Sequence, residues 1–120
     1  MRSYAYAAEK YGVAVDSLAT STGTIQQRLK SAYFSSMRLM PDNIEERGLW
    51  QRHGALHAAM TRVHEGPGEG YLEKTLNQMS DEEAVRLASE LVSINHSIQE
   101  LYHEELATKY QTLNRPIRLR

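Results

Sequence analysis

The sequence predicts an all-α domain, a bundle of four to five helices with a long amphipathic helix at its C-terminal end. Three observations carry that prediction. Apolar side chains recur every third or fourth position through most of the chain, the period of a helix with one buried stripe. Three polar pairs at capping-box spacing, Thr24 with Gln27, Asp42 with Glu45 and Ser80 with Glu83, precede such stretches, where their side chains can take up the free amides of a first turn. No apolar–polar alternation runs long enough to support a sheet.

The first helix is expected over residues 3 to 20, with Tyr4, Ala8, Tyr11, Val15 and Leu18 on one stripe and the breakers Thr20 to Gly23 at its end. Tyr6 and Val13 fall on its other side, so burying the stripe leaves a second apolar patch that calls for a cover. A second helix, capped by Thr24, is expected to run to about Met40 with Ile25, Leu29, Ala32, Ser36 and Leu39 inward, and Pro41 stops it. Phe34 sits opposite that stripe. No acid occurs between 24 and 40, whereas Arg28, Lys30 and Arg38 do, so this helix is basic. The third helix, with Leu49, Leu56, Met60 and Val63 inward, is expected to reach about His64, after a short turn started by Asp42 and Glu45.

Three glycines and a proline between 65 and 70 require a loop, after which Tyr71 to Met79 restart a short helix with Leu72, Leu76 and Met79 inward. The final helix is the clearest. Ala84, Leu87, Leu91, Ile94, Ile98 and Leu101 follow the Ser80/Glu83 box at spacings of three and four, predicting a helix from 80 to about 110. At 1.5 Å per residue that is about 45 Å, longer than a bundle of this size covers, so part of it is expected to pack on another subunit. Between 80 and 105 it holds seven acids and one base, a local charge of −6, and the basic second helix is its expected neighbour. The domain is read as residues 1–113, with 114–120 a basic tail.

The composition excludes several functions. With 41% hydrophobic and 24% charged residues the chain is an ordinary globular one. Fourteen bases against fifteen acids provide no global field for nucleic acid or an anionic membrane. The lack of cysteine removes thiol catalysis, thiolate metal sites and disulfides, and is consistent with a cytoplasmic setting. No apolar run reaches membrane-spanning length.

Three constellations could carry chemistry. His53, His57 and His64 lie with Trp50 along one flank of the third helix. They are the candidate metal ligands, with Glu65 or an acid of the last helix to complete the set; the alternative is that the rings line a helix–helix boundary. Glu100-Leu-Tyr-His103 is similar to the Glu-x-x-His motif of ferritin-like bundles, but those sites use two copies and point inward, whereas His96, Glu100 and His103 face away from the core stripe. Arg52-His53-x-x-x-His57 resembles the Arg-x4-6-His signature of HEPN ribonucleases, and Arg47 with His53 fits its looser spacing. The resemblance covers residues 52–57. It implies His57 as general base or acid toward a ribose hydroxyl and Arg52 as the stabiliser of phosphorane charge, against the acidity of the last helix.

The run from Met79 to Ile94 is similar in kind to bacterial α-helical proteins, without pointing to a family. The reading adopted is a non-catalytic binding or regulatory module. Its candidate protein-binding residues are Tyr6, Val13, Phe34 and Arg38, and it needs no cofactor. Its expected partners are an unidentified protein and a second copy in a homodimer, with no membrane and no nucleic acid. A catalytic centre at Arg52 and His57, a metal site at His53, His57 and His64, and weak nucleic-acid binding through Arg28, Lys30, Arg38 and the tail are the alternatives.

Overall fold

The computed structural model describes residues 3–64 and 70–113, the side chains of 112 and 113 excepted. The described residues form five α-helices and one 3₁₀ turn: α1 Ala5–Thr20, α2 Ile25–Ser36, the turn Pro41–Asn43, α3 Arg47–Met60, α4 Tyr71–Gln78 and α5 Asp81–Leu113. The fold is all-α with a long C-terminal helix, as the sequence predicts. No helix among the described residues is long and apolar enough to cross a membrane.

The turn between α1 and α2 depends on one glycine. Gly23 has φ +103°, a left-handed conformation that side chains disfavour. A Cβ there would also run into the Gln27 side chain. That side chain is engaged: Thr24 Oγ1 accepts the Gln27 amide at 3.1 Å while Gln27 Oε1 accepts the Thr24 amide at 2.9 Å, completing the capping box.

The expected end of α2 near Met40 is too late. The helix stops at Ser36, whose hydroxyl lies 3.4 Å from the Ala32 carbonyl, and the chain tightens so that the Leu39 amide reaches the Ser36 carbonyl. Leu39 is still buried, but from a turn. Met40 becomes extended, as a residue before proline must, and its amide donates to Asn43 Oδ1 at 2.8 Å.

The short turn expected at Asp42 is the 3₁₀ turn Pro41–Asn43, and α3 is capped after it by Glu46, which accepts the amides of Gly48 and Leu49 at 3.0 and 2.7 Å. A carboxylate there both satisfies free donors and faces the positive end of the helix dipole. The helix ends at Met60, not His64, because beyond Thr61 the chain leaves helical geometry and the Val63 amide donates to buried Thr75 of α4 at 2.9 Å.

The core is shared by every helix. Ala84, Leu91, Ile94 and Ile98 of α5 are fully buried, with Leu87 and Leu101 partly so, against Tyr11, Ala14, Leu29, Ala32, Leu56 and Met60. Helix α1 runs antiparallel to α5: Val15, Leu18 and Ala19 lie toward the start of α5, the Ala8 carbonyl accepts from Gln99 at 2.8 Å, and Glu105 takes up the Ser3 hydroxyl and the Tyr4 amide at 2.6 and 2.8 Å. Beyond Glu105, residues 106–111 are all exposed.

The basic α2 packs beside α5 as expected, but the acidic face of α5 finds its cations on α3 and just beyond its end. Arg52 makes a two-pronged contact with Glu90 at 2.7 and 3.2 Å, and Arg62 reaches Glu83 at 2.6 Å. Helix α2 instead pairs Lys30 with Glu73 of α4, and touches the start of α5 through Gln26 and Asp81 at 2.8 Å. Because both members of the Arg52–Glu90 pair are more than a third exposed, solvent screens it. Arg52→Ala is expected to cost no more than about 1 kcal/mol in urea unfolding; a loss several times larger would give the pair a buried role.

Candidate functional site

Two places bring functional side chains together: a polar cluster inside the bundle and a cleft on its surface. The interior cluster is built by α3. Trp50, His53 and His57 succeed one another at helical spacings of three and four, so their rings form one column. Trp50 stacks on His53 at 5.0 Å between centroids, His53 meets His57 at 4.3 Å, and His57 meets Tyr33 of α2 at 4.7 Å. The sequence's alternative for these rings, a helix–helix boundary, is what α3 presents to α1 and α2.

Their polar edges are not left to water. Tyr11 Oη lies 2.6 Å from His53 Nδ1, both residues buried. Burial pushes the Tyr11 hydroxyl up, with the Glu90 charge adding to the effect, so the phenol keeps its proton. Ser36 Oγ lies 3.0 Å from His57 Nε2. Desolvation lowers His53 to about 4 and His57 to about 3, the neighbouring His53 contributing to the second. Both imidazoles are therefore neutral at pH 7.

The residues named for metal or catalysis do not converge. His64 lies apart, exposed and stacked on Tyr71 at 4.1 Å. Among the described residues no group of three or more histidine, aspartate or glutamate side chains is placed to hold a metal ion; Glu65 lies outside them. Arg52 and His57 stand on different sides of α3. Arg52 turns to Glu90 and Ser93 of α5, and His57 turns to Ser36 and Tyr33 of α2. His96, Glu100 and His103 are exposed, with His96 Nε2 3.0 Å from Glu100. The tail residues of the nucleic-acid alternative lie outside the described residues, while Arg28 is drawn inward to the Leu18 carbonyl at 2.9 Å and Lys30 is paired with Glu73.

The surface cleft is built from the four residues the sequence singled out for binding. Tyr6 and Val13 on the outer side of α1, Phe34 at the far side of α2 and Arg38 in the turn just after it line one opening of about 350 Å³, joined by Lys10, Ser35 and Met37. Tyr6, Val13, Phe34 and Met37 are 41, 46, 55 and 42% exposed. Lys10 lies over the Tyr6 ring at 5.3 Å, and Arg38 has no acidic partner among the described residues.

No protein-family model, curated protein or solved structure matches the chain. In the interior column one nitrogen of each imidazole is taken up, by Tyr11 and by Ser36, whereas the cleft presents half-exposed apolar side chains, the Arg38 guanidinium and Lys10, which lies 3.9 Å from Glu9. Lys10, Ser35 and Met37 are the residues of the cleft that the sequence does not single out; for Met37, the expected continuation of α2 to Met40 conceals that the chain turns just there.

Proposed function

We propose that this chain is a non-catalytic binding module whose α1–α2 cleft receives an acidic protein segment with apolar side chains at its tip. One observation carries the reading: half-exposed Tyr6 and Val13 of α1, Phe34 of α2 and Met37 just past its end share a single opening edged by Lys10 and Arg38. Exposed aromatics clustered in a concavity are the residues that dominate binding energy when covered. Their apolar area favours any cover; the cations choose an acidic one.

The test is selection from a displayed library of random amphipathic peptides, followed by direct binding. Selected peptides are expected to be net acidic with aromatic or aliphatic anchors. Phe34→Ser and Arg38→Glu should each weaken them by roughly tenfold or more, with unchanged helix content by circular dichroism. Affinity should also fall as salt rises. Basic peptides, or binding indifferent to Phe34→Ser, would overturn the proposal.

A further inference from the structure

We infer, resting on the binding reading of the α1–α2 cleft, that the acidic segment received there runs on across Phe34 and seats an apolar side chain in a second hollow between α2 and α4. Phe34 lines both openings. On one side of it lies the cleft with Tyr6, Val13 and Arg38. On the other lies a hollow of about 420 Å³ between the second half of α2, the residue after α3 and the start of α4, walled by Tyr33, Thr61, Tyr71 and Leu72. A segment crossing α2 at Phe34 therefore passes from one hollow into the next.

The ridge between the two is propped from inside. Phe34 meets Tyr33 edge-on, with ring centroids 5.9 Å apart, and Tyr33 in turn lies against His57 of the interior column. Across the hollow Tyr71 stacks on His64 at 4.1 Å and is still 53% exposed. Rings already held by their neighbours offer apolar area to a ligand with little side-chain freedom left to lose.

Charge fixes which end of the segment goes where. The cleft offers the Arg38 guanidinium, whereas in the second hollow Lys30 is already paired with Glu73 of the same wall. An acid placed there would gain no free cation and would meet a carboxylate. The acidic residues of the segment thus lie toward Arg38 and its apolar anchor toward Tyr71. Helix rise sets the length between them. Phe34 follows Lys30 by four residues and Arg38 follows Phe34 by four, about 12 Å in all at helical rise, which about four extended residues span.

The probes are the acidic peptides selected on the chain, each also made with its apolar anchor replaced by alanine. Their affinities are measured for the wild type, Tyr71→Ala and Tyr71→Phe, with helix content checked by circular dichroism. Selected peptides are expected to carry an aromatic or aliphatic residue about four positions from their acids. Losing that residue, or Tyr71, should weaken binding by roughly tenfold. On Tyr71→Ala the alanine peptide should bind little worse than its parent, because both changes remove one contact, and Tyr71→Phe should bind as the wild type does. Peptides that need Phe34 and Arg38 yet bind Tyr71→Ala as tightly as the wild type would overturn the extension and leave the cleft reading standing. Selection of no acidic peptide would overturn both. Should Tyr71→Ala lose helix content, the alanine peptide on the wild type decides, and an unchanged affinity there sinks the extension.

Discussion

Acidification from pH 7 to pH 4 is expected to cost the fold several kcal/mol, most of it through two side chains. His53 and His57 are held at about 4 and about 3 in the folded chain, against about 6.5 in an unfolded one. The unfolded state therefore takes up protons first. Stability from the neutral rings is fully present above pH 6.5 and drains away as pH falls toward 4 and 3. Each ring contributes a loss on the order of 3 kcal/mol by pH 4, and together they are comparable to the whole stability of a small domain. Urea unfolding at stepped pH measures this. His57→Leu should remove about half the slope between pH 6.5 and 4 whatever its effect at pH 7, because the slope counts protons and not contacts. A wild-type profile flat over that interval would show that the rings titrate as if in water.

Ile98→Ala is expected to lower stability by roughly 2–5 kcal/mol at pH 7, the range for deleting a buried aliphatic side chain and leaving its space unfilled. Ile98 is completely buried on α5, the helix packed on α1, α2 and α3, so no single neighbour can move to fill the gap. Arg86→Ala, on the exposed side of the same helix, should change stability by no more than about 0.5 kcal/mol. Equal losses from the two would mean that the stripe read from the sequence is not the side that α5 buries.

That stripe was legible because periodicity reports which side of a helix is buried, independent of what buries it. Ala84, Leu91, Ile94 and Ile98 needed no knowledge of partners. Helix ends were less legible, since they are decided by contacts between distant residues. Buried Thr75 takes the Val63 amide and keeps α3 from reaching His64, and no local signal forecasts a contact of that span. The short turn at Asp42 was legible, but Glu46 as the cap of α3 was not, since capping-box spacing picks out Asp42 and Glu45 while Pro41 and Asn43 commit the preceding residues to a 3₁₀ turn.

The two candidate sites divide along the same line. Tyr6, Val13, Phe34 and Arg38 were readable as residues off the core stripes, and two such outward sets on adjacent helices joined by a short turn fall side by side. The histidine column was readable only in part. Its spacing on α3 was visible, but the partners that satisfy it, Tyr11 and Ser36, lie 42 and 21 positions from His53 and His57. Without them, spacing alone fits a metal site, a catalytic pair and a packed interior equally well. With them, each ring has a neutral hydrogen-bonding neighbour and little water, an arrangement that holds helices together and orders the core.

The most direct test of the binding reading is a titration of the ¹⁵N-labelled protein with a selected acidic peptide, followed residue by residue in NMR spectra. Shifts concentrated at Tyr6, Lys10, Val13, Phe34, Met37 and Arg38, with the imidazole signals of His53 and His57 unmoved, are the predicted result. Shifts centred on the histidine column or on Arg52 and Glu90, with α1 and the end of α2 silent, would contradict it.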